Sequence, residues 1–317
     1  MVLDAFLTSG APGVLATVVT EDGVSWDGAA GEGTVGSAFR VASITKTYTA
    51  AAVLRLVELG RVGLHDPVSV HVDQLRLGGY DPSRISVHDL LRHTSGLPDF
   101  AGDPAYVDAV LAEPGRVWSR SEQVAWSMER QEPVGRPGER FHYSDTGYVL
   151  LGALLEEVCG TDLDSALRQL LKLPETTWLE GVGRDPGLAR ARQLFGELEL
   201  SATDPSIDLW GGGGLVSTTA DLVRFYQALL GGEVVDDLGR MLTATDAPGN
   251  DGGMGLGIFP LPFGEGWFGH TGFWNTCAAA QLGSRAAVAV AVLQHPGPAP
   301  TAPDVAAALL RAVLPGR

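Results

Sequence analysis

The strand-like segments of this 317-residue chain lie at its two ends, and nearly everything between them reads as helix or polar loop. Residues 13–20 and 24–30 are two strand-like runs joined by Glu21-Asp22-Gly23, an acidic-glycine turn suited to a hairpin. A short run follows at 38–41, and four more β-like runs come only at 255–261, 267–273, 276–282 and 286–294. Strands so far apart satisfy their backbone groups and bury their apolar faces if the chain ends return to one sheet. The expected fold class is therefore α/β (α+β): an antiparallel sheet flanked by helices, built from both ends, with a mostly helical domain inserted. The expected division is 1–64 with 214–317 for the sheet domain and 65–213 for the insertion, with the active site between them.

Helix signals support this division. Ala50, Val53, Leu54 and Val57 have helical spacing within 43–59, which stops at Gly60. Ser86 and Asp89 form a capping-box pattern, 148–159 stops at Gly160, and 162–173 stops at Pro174. Thr218 and Asp221 open a further helix that runs to Leu230, and 301–314 closes the chain as an apolar helix. The stretch 181–214 has no clean period and reads as a long loop or a set of short elements, and long loops of this kind often border active sites.

Composition removes whole classes of function. With 45% hydrophobic and 19% charged residues, the chain is globular and long enough to bury a large core. A net charge of −16 repels phosphate backbones and anionic lipid, so nucleic acid is not an expected partner. The longest apolar run, 286–293, is far short of the roughly 20 residues a spanning helix needs, which argues against a membrane protein. No secretion signal is visible in the first ten residues, and the expectation is a cytoplasmic protein. Cys159 and Cys277 stand far apart and form neither a disulfide framework nor a metal motif. The histidine pairs His65/His71 and His88/His93 lack companion carboxylates or cysteines, so no metal and no cofactor is expected.

Only two of the 22 basic residues are lysines, Lys46 and Lys172. A position that keeps lysine in so arginine-rich a chain points to what arginine cannot do, which is to lose a proton near neutral pH when desolvated. Ser43 lies three residues before Lys46, so on one helix the two side chains face the same way. At the helix N-terminus, unpaired N–H groups also stabilise a developing anion, which makes Ser43 a candidate nucleophile. Two further groups join it: Tyr143-Ser144-Asp145 after a Pro-Gly turn, and His270-Thr271-Gly272 on an expected strand. The Gly-x-Ser-x-Gly elbow is absent from the chain, which removes that route to a serine hydrolase.

The order of these motifs resembles the serine β-lactamase-like, penicillin-binding family: class C β-lactamases, DD-peptidases, and the esterases, D-aminopeptidases and acyltransferases of the same fold. The resemblance runs through Phe39-Arg-Val-Ala-Ser-Ile-Thr-Lys46, Leu90-Leu-Arg-His-Thr-Ser-Gly-Leu-Pro98, the segment from Pro137 to Tyr148, Gly212-Gly-Gly-Leu-Val-Ser-Thr218 and Gly269-His-Thr-Gly-Phe273. It implies that Ser43 forms an acyl-enzyme, with Lys46 and Tyr143 sharing the proton traffic and the choice of base left open. It further implies an oxyanion hole from the backbone N–H groups of Ser43 and Phe273, with His270 in the place where β-lactamases usually carry lysine.

Two departures bear on the substrate. Asp145 stands where the family usually has asparagine; an ionised carboxylate accepts from Lys46 but cannot donate to an amide carbonyl. Phe273 replaces the Ser or Thr with which penicillin-binding relatives grip a substrate carboxylate. Asp145, Thr271, Gly272, Trp210 and Trp274 are the expected substrate-binding residues, the two tryptophans as walls of an acyl pocket. The Gly211–Gly214 run is expected to pack backbone closely beside the site, and His93 to anchor a loop. The expected partner is a small-molecule ester or amide, with esterase first. Activity on D-amino-acid derivatives, β-lactamase activity, acyl transfer, and a non-catalytic binding module are the alternatives; the oligomeric state is left open.

Overall fold

The computed structural model describes residues 3–7, 10–72, 80–295 and 300–313. Among the described residues there are eleven strands: β1 (Gly13–Val19), β2 (Ser25–Gly31), β3 (Phe39–Arg40), β4 (Trp178–Leu179), β5 (Leu194–Phe195), β6 (Leu198–Glu199), β7 (Leu215–Ser217), β8 (Phe259–Pro260), β9 (Trp267–Gly272), β10 (Thr276–Gln281) and β11 (Ala287–Val292). The helices are α1 (Asp4–Leu7), α2 (Thr45–Glu58), α3 (Val87–Leu91), α4 (Pro104–Ala112), α5 (Arg120–Arg130), α6 (Asp145–Cys159), α7 (Leu163–Leu171), α8 (Thr219–Leu230), α9 (Leu238–Leu242) and α10 (Ala302–Val313). Leu314, expected as the end of the last helix, lies outside the described residues.

The two chain ends meet in a six-stranded antiparallel sheet ordered β2-β1-β11-β10-β9-β8. The join is β1 against β11, where Val14 faces Val292 and Val18 faces Val288. Both strands are buried along their whole length, which is why each reads as an unbroken apolar run. Val14, Ala16, Val18, Val288 and Val290 pack with Val305 and Leu309 of α10 on one face. The alternate positions carry short side chains, Ala278, Ala280, Ala287, Ala289 and Ala291, and let Leu222, Tyr226 and Leu229 of α8 share their core on the other face. Among the described residues, no helix is long and apolar enough to cross a membrane.

The caps act as the sequence indicates. Ser86 and Asp89 form both halves of a capping box on α3, Thr218 accepts from the Asp221 N–H at the start of α8, and Gly160 ends α6 in the left-handed region at φ 69°. Two expectations differ. The run at 38–41 enters a separate three-stranded sheet, β3-β7-β4, whose two- and three-residue strands are too short to carry a period. Of 255–261 only Phe259–Pro260 pairs as a strand; Gly257 turns the preceding chain at φ 69° and lies tight against α2, where an added Cβ would meet the Ala50 methyl at 2.7 Å. The stretch 181–214 takes the second of its two expected forms, a set of short elements: the hairpin β5–β6 and a turn of 3-10 helix at Pro205–Asp208. Arg40 pins this stretch by an ion pair to Glu180 and bonds to the carbonyls of Leu200 and Thr203.

Candidate active site

Ser43 sits in a single 3-10 turn, Ala42–Ile44, that leads directly into α2. Ala42 holds φ 49°, a region that non-glycine residues occupy only where the surroundings force it, so the turn bearing Ser43 is a strained one. The three-residue spacing does what the sequence indicates: Lys46 Nζ donates to Ser43 Oγ over 3.0 Å. The lysine is completely buried, and it also donates to the Gly212 carbonyl at 2.7 Å and forms an ion pair with Asp145, the first residue of α6. Burial by itself would lower the lysine pKa; the charge of Asp145, backed by Tyr143 and Asp208, outweighs it and holds the pKa above its ordinary value. Lys46 is thus an ammonium.

Tyr143 lies at the mouth of α6, with Lys46 Nζ 5.0 Å from its ring centre. Burial pushes its hydroxyl up to about 12, while Lys46 and hydrogen bonding to Ser43 pull the other way. His93 stacks on the Tyr143 ring at 4.3 Å between centres, and its Nδ1 accepts from the Ser144 N–H at 3.0 Å. Burial, then the charge of Lys46, keep this imidazole well below its usual pKa, so a neutral ring supports Tyr143. The sequence marks His93 as a loop anchor; the structure adds that the anchored loop carries the tyrosine.

β9 delivers the third group. Its Gly272 lies so close to the Ser43 turn that an added Cβ would stand 2.2 Å from the Val41 carbonyl oxygen and 2.3 Å from Thr276 Oγ1. The small residue is there for the approach of the Ser43 turn to the strand. The His270 imidazole is buried, and burial and then Lys46 push its pKa down to about 3. Its Nδ1 lies 2.6 Å from the Thr271 carbonyl oxygen. A neutral ring so placed donates from Nδ1 and leaves Nε2 as an acceptor, which has no hydrogen-bond partner among the described residues.

These groups surround a cavity of about 500 Å³, within the range of small-molecule sites. Ser43, Tyr143, Asp145, His270, Thr271, Gly272, Phe273 and Trp274 all line it. Trp210 does not. It is held at φ 72° with its indole N–H toward the Trp118 carbonyl and the Arg120 guanidinium over its ring at 4.7 Å, so it belongs to the helical layer. Its backbone presses on α6, where a Cβ on Gly152 would meet the Trp210 carbonyl oxygen at 2.0 Å. The following glycines serve the same close packing: a Cβ on Gly212 would lie 2.7 Å from Asp145 Oδ1.

Two carboxylates of the lining carry no sequence signal of their own, Asp99 and Asp208. Asp99 follows the Leu97-Pro98 end of a recognised motif and accepts from the Asp145 N–H at 3.0 Å, and burial and the nearby Asp145 charge push its carboxyl up. Asp208 ends the 3-10 turn of the long loop, and burial followed by Asp145 pushes it up to about 7. Only the fold brings these carboxylates to the site of Lys46.

Comparison with known proteins bears on the family and the fold. The family model "Beta-lactamase" matches residues 2–313. A D-stereospecific amidohydrolase from Streptomyces sp. superposes with a TM-score of 0.81 at 29% identity, covering 92% of each chain. D-amino acid amidase from Ochrobactrum anthropi SV3 shares the fold at a TM-score of 0.83, with 23% identity over 99% of this chain and 96% of its own. Among curated proteins, Protein flp of Staphylococcus aureus is 33% identical over 121 residues, 38% of this chain but 23% of its own length. The D-alanyl-D-alanine-carboxypeptidase/endopeptidase AmpH of Escherichia coli is 26% identical over 242 residues, 70% of this chain and 60% of its own.

Proposed function

The chain belongs to the beta-lactamase family and is a serine hydrolase of that fold, and on this premise we propose that it cleaves small esters or amides through an acyl-Ser43 intermediate. The observation that carries the reading is the chain of contacts from Ser43 Oγ to Lys46 and from Lys46 to Asp145, at the edge of the cavity. Because Asp145 keeps Lys46 protonated, Tyr143 is the base. Ser43 Oγ attacks the carbonyl carbon as its proton passes to the Tyr143 phenolate, and the oxyanion is met by the Ser43 and Phe273 N–H groups. Tyr143 then protonates the departing oxygen or nitrogen, and the reverse sequence with water releases the acid. Lys46 contributes its positive charge, which stabilises both the phenolate and the serine oxyanion. His270, held neutral, offers its Nε2 lone pair to an N–H or O–H donor at the polar end of the substrate.

An ester is the favoured substrate, since an Asp145 carboxylate already committed to Lys46 has no N–H to offer an amide carbonyl. Amide hydrolysis is the second reading, supported by the likeness to the Streptomyces amidohydrolase.

A base with a pKa of about 12 gives this mechanism a pH signature. Above the range in which Asp208 titrates, kcat/KM for a neutral ester such as p-nitrophenyl butyrate should rise about tenfold per unit from pH 8 to pH 10. Stopped assays corrected for spontaneous hydrolysis measure it. A plateau across that interval would assign the base to another group and remove Tyr143 from the role.

A further inference from the structure

We propose that Asn275 is a positioning residue of the oxyanion hole, holding the turn after β9 so that the Phe273 N–H faces the Ser43 turn. The inference rests on the acyl-Ser43 reading and adds to it a residue outside the cavity lining. β9 and β10 are joined by three residues, Phe273-Trp274-Asn275. Hairpin loops of that length close with their last residue in the left-handed region, and Asn275 is there at φ 57°. Phe273 is 45% exposed, so burial of its own ring does not fix its backbone. Its N–H has no hydrogen-bond partner among the described residues and is available to an oxyanion.

Asn275 anchors the turn through its side chain and its backbone together. Its Nδ2 donates to the carbonyls of Gln294 at 2.9 Å and Pro300 at 3.2 Å. Its Oδ1 accepts from the Ala302 N–H at 2.7 Å, at the start of α10. Its backbone carbonyl accepts from the Val292 N–H at 2.9 Å, at the end of β11. One residue thus bonds the turn to the sheet and to the helix packed on it. The next residue makes the connection to the nucleophile: Thr276 Oγ1 donates to the Val41 carbonyl at 3.1 Å, immediately before the Ser43 turn. Asn275 and Thr276 therefore fix the two N–H donors relative to each other. An oxyanion hole works because its donors are in place before charge develops, so the loss of such an anchor falls on the transition state and spares the binding of an uncharged ligand.

Asn275→Gly keeps the left-handed backbone and removes every side-chain bond, whereas Asn275→Asp keeps the acceptor for the Ala302 N–H and loses the two donated bonds. Three quantities are compared with wild type: kcat/KM for p-nitrophenyl butyrate, and the inhibition constants of butylboronic acid and of 4-nitrophenyl butyl ether. Ser43 Oγ adds to the boron and gives up its proton to solvent, which makes the boron a tetrahedral anion like the oxyanion intermediate; the ether is neutral and has no carbonyl. In Asn275→Gly, kcat/KM should fall about ten- to a hundredfold and the boronate should weaken by a similar factor, with ether binding unchanged within about twofold. Asn275→Asp should lie between the two proteins, and if Asn275→Gly does not fold, the split between boronate and ether in Asn275→Asp decides. A kcat/KM within about twofold of wild type in Asn275→Gly, or boronate and ether weakened alike, would overturn the positioning role and leave the acyl-Ser43 reading in place. A wild type that neither hydrolyses the ester nor binds the boronate would remove that reading, and the role of Asn275 with it.

Discussion

Gly272→Ala should reduce turnover of any substrate by about a hundredfold or more while the protein stays folded. The added methyl would stand 2.2 Å from the Val41 carbonyl oxygen, whereas carbon atoms at ease keep about 3.5 Å, so the turn bearing Ser43 or the end of β9 has to move by about 1 Å. Displacement of that size between a nucleophile and its partner groups costs about 10²-fold in rate. The loss should appear mainly in kcat, because the cavity walls contributed by α4 and the long loop are untouched. Gly115→Ala is the control: nothing lies within 4 Å of its missing Cβ, and activity should be unchanged. A Gly272→Ala enzyme of wild-type kcat would show that the close approach has no part in placing Ser43.

The second large effect is on stability. Lys46→Met removes the cation paired with Asp145 and leaves that carboxylate buried beside Asp99 and Asp208, which should cost about 3–5 kcal/mol at pH 8. The sign with pH follows from the raised carboxyl pKa values. Between the unfolded value and the higher folded one, the folded state holds protons that the unfolded state has released, so stability falls as pH rises through that interval. Asp208, already pushed up to about 7 in the wild type, sets the window near neutrality. Urea unfolding of Lys46→Met should therefore show a midpoint much nearer wild type at pH 5.5 than at pH 8. The double variant Lys46→Met/Asp145→Asn should regain most of the loss. Equal destabilisation at both pH values would mean that packing of the lysine stem matters more than its charge.

What the chain announces and what it hides divide along physical lines. The β1–β2 hairpin, the capped starts of α3 and α8 and the glycine end of α6 depend on neighbours within a few residues, so their signals survive in sequence. The Ser43–Lys46 pair is likewise local, being one helical step apart. The strands of β3-β7-β4 are fixed by contacts across the chain, and α9, with five residues, is too short for an apolar stripe. Asp99 and Asp208 were hidden for a further reason: a carboxylate in a polar loop looks solvated, and only tertiary structure shows that it lies in a cavity with Asp145. Trp210 shows the converse. Its neighbours in sequence lie at the site, yet its positive φ and the Arg120 contact turn it into the helical layer.

Acylation at Ser43 is tested most directly by intact-mass spectrometry of wild type and Ser43→Ala after brief exposure to p-nitrophenyl acetate and p-nitrophenyl butyrate, with peptide mapping of any adduct. The wild type should gain a single acyl group, mapped to the Ser43 peptide and lost over time as the acid is released, and Ser43→Ala should gain none. An adduct of equal yield in Ser43→Ala, or one mapped to another residue while ester turnover persists, would contradict the account.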